Sequence, residues 1–100
     1  MRNEWYKHMH DIIKKYGIKE VPYGYRTQSC YYKGVYIFDH YGDGDCAFRK
    51  YDTKTHEFGV IEMYHRYSYI SFMSALEGSL RNVKDFLIYK KYKRIREDFK

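Results

Sequence analysis

Tyr31-Tyr32-Lys33-Gly34-Val35-Tyr36-Ile37-Phe38-Asp39-His40-Tyr41-Gly42-Asp43-Gly44-Asp45-Cys46-Ala47-Phe48-Arg49-Lys50-Tyr51-Asp52 is the stretch whose reading decides the fold. Two runs rich in β-branched and aromatic side chains flank Tyr41 to Asp45, where Gly and Asp supply the positive φ angles and local hydrogen bonds of a hairpin turn. Thr53-Lys54-Thr55-His56 reads as a second turn, and a third run extends from Glu57 to about Tyr67. The spacing predicts a three-stranded antiparallel meander over Tyr31–His40, Cys46–Asp52 and Glu57–Tyr67. Strict alternation would place Tyr32, Tyr36 and Phe38 on one face of the first strand and Tyr31, Val35 and Ile37 on the other. In the third, Phe58, Val60 and Tyr64 would oppose Ile61 and Met63. Neither face is plainly polar, so helices are expected to cover one and leave a tyrosine-rich face partly exposed.

Upstream, Trp5, His8 or Met9, Ile12, Ile13 and Tyr16 recur at helical spacing, with Asn3 as the expected cap and Gly17 as the stop. Ile18 to Cys30 shows no clear period and contains Pro22, so it reads as loop. Downstream, Phe72, Ala75, Leu76, Leu80, Val83 and Leu87 form one helical stripe. Its start is expected at Ser71 or Ser74, the latter with Glu77 as a capping box, and Gly78-Ser79 marks a place where it could break. The fold class is therefore α+β: an N-terminal helix, a three-stranded meander and a long C-terminal helix, in one domain over residues 1–100.

Beyond Leu87 the stripe stops, because Lys90, Lys91, Arg94 and Asp98 occupy its line. Ile88, Tyr92, Ile95 and Phe99 form a second stripe rotated round the helix. Either the helix leaves the first core to pack elsewhere on the domain, or it offers a basic amphipathic surface to a partner. Charge marks the same boundary. The net charge of +6 is carried almost wholly by Arg81 to Lys100, which has eight basic and three acidic residues, whereas the first 80 residues sum to +1. A basic helical segment is thus set off from about residue 88 to 100.

Aromatic content is high, with 14 Tyr, 6 Phe and 1 Trp, and so many tyrosines exceed what one small core can hide. Abundant Lys, Tyr, Ile, Asp and Phe beside scarce Ala and Pro point to an AT-rich coding sequence, as in low-GC bacteria and their phages. No apolar run reaches the roughly 18 residues of a membrane span, and the start lacks the apolar core of a secretion signal. Cys30 and Cys46 make neither a disulfide framework nor a four-ligand metal set. A cytoplasmic protein with no membrane partner is expected.

Gly42-Asp43-Gly44-Asp45-Cys46-Ala47-Phe48-Arg49 resembles the nucleophile motif of the ovarian-tumour (OTU) family of cysteine deubiquitinases, in which an Asp-Gly-X-Cys turn precedes an aromatic residue and an arginine. The resemblance implies an OTU-like cysteine protease with Cys46 as nucleophile and the Asp43 to Cys46 backbone shaping the oxyanion site. Three departures stand against it. The family's cysteine begins a buried helix, whereas Arg49 to Thr55 reads as strand into turn. Its histidine lies far downstream, whereas the later histidines here are His56 and His65. Its fold is also larger than this chain. The Gly-Asp hairpin turn is the reading adopted, with no catalytic residue.

Asp39, Asp43 and Asp45 miss the spacing of an EF-hand loop. His8 and His10 point to different faces of a helix, while His40, His56 and His65 read as scattered surface or strand-edge residues. The sequence also lacks a Gly-rich phosphate loop, a zinc-protease helix and a Ser-His-Asp pattern. No metal and no cofactor are expected.

What remains is binding. Lys and Arg can neutralise phosphates while tyrosines stack on unpaired bases, so nucleic acid is one possible partner, and a three-stranded sheet followed by a helix is similar in architecture to small DNA readers. The sheet segment, however, balances its basic residues with acids and makes no basic platform. A protein partner suits that neutral surface better, because tyrosines at interfaces combine rigid area with a hydroxyl. In size and composition the chain resembles phage or mobile-element inhibitors of host enzymes, anti-CRISPR proteins among them. The expected function is a small noncatalytic protein-binding inhibitor or regulator, with a host nucleic-acid-processing enzyme as one candidate partner. Tyr36, Tyr51 and Tyr64 are the expected contact tyrosines, and Lys90, Lys91, Lys93, Arg94 and Arg96 the steering charges.

Overall fold

The computed structural model describes residues 4–61 and 63–98. Trp5–His8 form a 3-10 turn that runs into α1, Met9–Lys15, and bury Trp5, Met9 and Ile13. Met9 rather than His8 occupies the inner position. The helix stops at Gly17, whose φ of +74° is open to glycine at little steric cost and whose N–H donates to the Lys14 carbonyl. Asn3, the expected cap, lies outside the described residues.

The sheet is larger than the meander expected from sequence. It contains β1 Ile18–Pro22, β2 Gln28–Tyr32, β3 Val35–His40, β4 Asp45–Asp52, β5 Glu57–Ile61 and β6 His65–Arg66, all paired antiparallel. The expected loop over Ile18 to Cys30 is instead the β1–β2 hairpin. Pro22 is tolerated there because it ends an edge strand, where its missing N–H leaves no ladder bond unmade.

The expected single strand Tyr31–His40 is two strands joined at Lys33-Gly34. Both turn residues have positive φ, 51° and 81°, as a two-residue hairpin turn of the primed kind requires. The third expected strand is also divided. β5 extends the far half of β4, while β6 pairs with its beginning, placing Arg66 opposite Asp45 and His65 opposite Cys46.

A bulge in β3 overturns the simple alternation of faces. Cys30 pairs with Phe38, yet Tyr31 pairs with Tyr36, so one step on β2 spans two on β3. Tyr36 therefore joins Tyr31, ring centroids 5.4 Å apart, on the face away from the helices. Val35, Ile37 and Phe38 all reach the hydrophobic core.

α2, Tyr69–Asp98, is one uninterrupted helix of 30 residues with no break at Gly78. It starts before either expected serine. Ser68 is the cap, its Oγ accepting the Ser71 N–H at 3.1 Å. Ser68→Ala is expected to cost about 1 kcal/mol, read as a lower denaturation midpoint with an unchanged slope.

The stripe predicted from sequence packs as expected. Phe72, Leu76 and Val83 are fully buried, with Leu80 and Leu87 at the margin. Phe72 is surrounded by rings, with centroids of Trp5 at 4.8 Å, Phe38 at 5.8 Å and Phe48 at 6.0 Å. The core thus joins both helices to one face of the sheet.

Candidate partner-binding site

α2 is about 45 Å long at 1.5 Å per residue, and the molecule measures 59 × 25 × 24 Å. The body supports it only part of the way. Phe58 meets Phe86 edge-on at 5.5 Å, and His56 stacks on Tyr89 at 4.2 Å. The Asp85 carboxylate accepts from the Tyr51 hydroxyl at 2.5 Å and bonds to His56 Nδ1 at 2.9 Å. These two partners hold the Asp85 carboxyl below its ordinary pKa. His56 reaches the helix because it ends the β4–β5 turn at φ 58°, a turn built on Asp52, whose Oδ1 accepts the Lys54 and Thr55 N–H groups.

From Ile88 to Arg96 every residue is exposed, Tyr89 beside its stack on His56 included. Ile88, Tyr92 and Ile95 of the second stripe stand 59%, 66% and 44% open, so the helix does not turn back onto the domain. Phe99, the stripe's last member, lies outside the described residues. Lys90, Lys91, Lys93, Arg94 and Arg96 occupy the rest of this segment's circumference, with Lys90 lying over the Phe86 ring at 4.7 Å. The projecting end therefore has an apolar stripe bordered by positive charge.

The three tyrosines expected at an interface have intramolecular roles. Tyr51 donates to Asp85 and so belongs to the clamp. Tyr64 donates to the buried Asp39 at 3.4 Å, and its ring lies tilted against that of Tyr41 at 4.8 Å. Tyr36 is half-buried beneath Arg49, which donates to the carbonyls of Tyr36, Phe58 and Gly59. Burial raises the pKa of all three hydroxyls, and Asp85 beside Tyr51 and Asp39 beside the other two push the same way. Open tyrosines are found elsewhere, among them Tyr23, Tyr25 and Tyr92.

Cys46 lies within β4 rather than at the start of a helix, and it is fully buried. Burial, with Asp45 and Asp43 adding to it, pushes its thiol up to about 12. A nucleophilic cysteine needs the opposite environment, partly exposed and electropositive. Arg49, the arginine of the OTU-like spelling, spends its guanidinium on three backbone carbonyls.

A second constellation escaped the sequence reading. His10 on α1, Glu20 on β1 and His40 at the end of β3 bring their ligand-type atoms within 4.8 Å of one another. His10 Nδ1 is 2.8 Å from one Glu20 oxygen and His40 Nε2 is 2.5 Å from the other. His40 is not the surface or strand-edge residue expected; it is wholly buried, with Nδ1 unpaired among the described residues. Burial keeps its imidazole below the ordinary pKa although Glu20 pulls the other way. Had Ile18 to Pro22 been read as a strand, Glu20 would have fallen on one line across the sheet with Cys30 and Phe38, next to His40.

No protein family, curated protein or solved structure matches this chain. Its function is therefore read from these surfaces alone. Among the described residues, no helix is long and apolar enough to cross a membrane.

Proposed function

We propose that the protein is a cytoplasmic, noncatalytic binding module that grips an acidic protein through the projecting end of α2 and so inhibits or regulates it. The observation that carries this reading is the open stripe Ile88, Tyr92 and Ile95, set among five cations on a helix whose other half is anchored in the core. An amphipathic helix of this kind is read by an apolar groove through anchors at i, i+4 and i+7 spacing. Acidic groups at the groove's rim would meet Lys91 and Arg96 beside the stripe.

The stripe also separates this reading from nucleic-acid binding. Phosphates call for Lys and Arg but give two isoleucines nothing to pack against. A second copy of the chain is disfavoured by charge, since pairing two such ends brings like charges together. If the partner is a host nucleic-acid-processing enzyme, as a phage-encoded inhibitor would require, a net positive helix fits an acidic surface of it and not the basic channel that holds nucleic acid. The buried, poorly acidic Cys46 thiol supports the noncatalytic part of the reading.

Affinity capture from bacterial lysate tests it, with nuclease present and absent and with the variant Ile88→Ser/Tyr92→Ser/Ile95→Ser beside the native chain. One protein retained after nuclease by the native chain and lost from the variant is the expected result. Loss of all bound material on nuclease treatment would assign the basic helix to nucleic acid instead.

A further inference from the structure

We propose that His10, Glu20 and His40 form a binding site for one divalent first-row transition ion of the zinc class, open to solvent on the His10 side. Two imidazole nitrogens and one carboxylate are a donor set that such ions favour. Three protein ligands with a remaining position for water or another small ligand is the pattern of an open zinc site.

The geometry needs little change to accept the ion. A tetrahedral zinc about 2.1 Å from each ligand atom spaces those atoms about 3.4 Å apart. Here they all lie within 4.8 Å of one another, and both histidines already address opposite oxygens of the same carboxylate. The two His–Glu distances of 2.8 and 2.5 Å must open toward that spacing, a movement that falls to His10 and Glu20, whose side chains are 63% and 22% exposed, while that of His40 is fully enclosed.

Three separately anchored elements hold the ligands in place. α1 carries His10 and is seated by Met9 and Ile13, both fully buried. β1 carries Glu20, opposite Cys30 in the β1–β2 ladder. β3 carries His40, opposite Gln28 on one side and Cys46 on the other. Because the ligand positions are fixed by pairing and packing of the chain itself, little ordering is left for binding to impose. An ion there would tie α1 to the sheet, a function the Glu20 hydrogen bonds perform without it.

His8 is the natural control. It is exposed, two residues from His10 in sequence, and outside the cluster. A surface that merely collected zinc on loose histidines would not distinguish the two.

The full chain, stripped with a chelator, is titrated with zinc by calorimetry and with cobalt(II) by visible absorption, which reports a low-coordinate nitrogen and oxygen environment. One ion per chain is expected, with a rise in the thermal midpoint that scales with free zinc. Outer partners of metal ligands already carry about 10- to 100-fold in affinity. His10→Ala and Glu20→Gln should therefore each weaken binding by about 100-fold or more, and His8→Ala should leave it unchanged. His10→Ala removes an exposed side chain, so it keeps the test decisive if Glu20→Gln fails to fold, as judged by circular dichroism. Absence of binding to the native chain, or zinc affinity in His10→Ala within about threefold of native, overturns the site.

Discussion

Phe72→Ala is expected to remove about 3 to 5 kcal/mol of stability, enough to leave a domain of this size largely unfolded near physiological temperature. The reason is position. Phe72 is fully buried where α2, the N-terminal segment and two central strands converge, with Trp5, Phe38 and Phe48 all within 6.0 Å centroid to centroid. Truncation loses the ring's transfer energy and opens a cavity that three rigid rings cannot collapse to fill. A domain of about 100 residues holds only about 5 to 15 kcal/mol in total, so the loss is comparable with the whole. Phe72→Leu, which fills most of the volume, should recover much of the difference. Denaturant unfolding of the three chains measures this directly. A loss below about 1 kcal/mol for Phe72→Ala would mean that α2 is not seated on the sheet as described.

The rings around Phe72 also show why some of the fold was legible and some was not. α2 advertised itself because its stripe repeats at helical spacing for more than four turns with polar residues between, and only tertiary packing could break that pattern. The Tyr41 to Asp45 turn was equally plain, since Gly42 and Gly44 at φ 82° and 97° have few substitutes.

Lys33-Gly34 hid because the other turn residue is a lysine held at φ 51°, a conformation that its type rarely takes, between two runs without polar alternation. The face of Tyr36 was hidden for a different reason: a bulge inserts one residue and reverses everything before it, and nothing in a period of two announces that. Missing β1 had the largest consequence, because it kept Glu20 away from His10 and His40. A histidine looks scattered until the strand order that gathers it is known.

The candidate site divides in the same way. Its basic end was visible as a change of stripe at Leu87 and a change of charge at Arg81, both local properties of one helix. The intramolecular partners of Tyr51 and Tyr64 were not, because which acid a tyrosine hydroxyl meets depends on the folded chain. Tyr51 finds Asp85 across 34 residues of chain, and Tyr64 finds Asp39 across 25.

That distinction between charge and apolar anchor gives the second large expectation, which concerns rates. Replacing Lys90, Lys91, Lys93, Arg94 and Arg96 with glutamine should slow association with the captured partner by about tenfold or more at low salt and flatten its salt dependence, because charges at an interface rim steer encounter. Dissociation should change little. Replacing Ile88, Tyr92 and Ile95 with serine should do the reverse. Buried anchors hold a complex once formed, and losing about 2 kcal/mol or more of their contacts shortens its lifetime by about 30-fold or more.

Both sets lie on the exposed end of α2, beyond the clamp formed by Tyr51, His56 and Asp85, so neither should change the unfolding free energy by more than about 0.5 kcal/mol. A change in rate can then be assigned to the interface and not to the fold. Association and dissociation measured at two salt concentrations separate the readings. Under nucleic-acid binding the glutamine set alone would abolish the interaction and its steep salt slope, while the serine set would leave dissociation unchanged. That outcome would sink the protein-groove reading, since a helix held only by its charges has no use for two isoleucines and a tyrosine facing water.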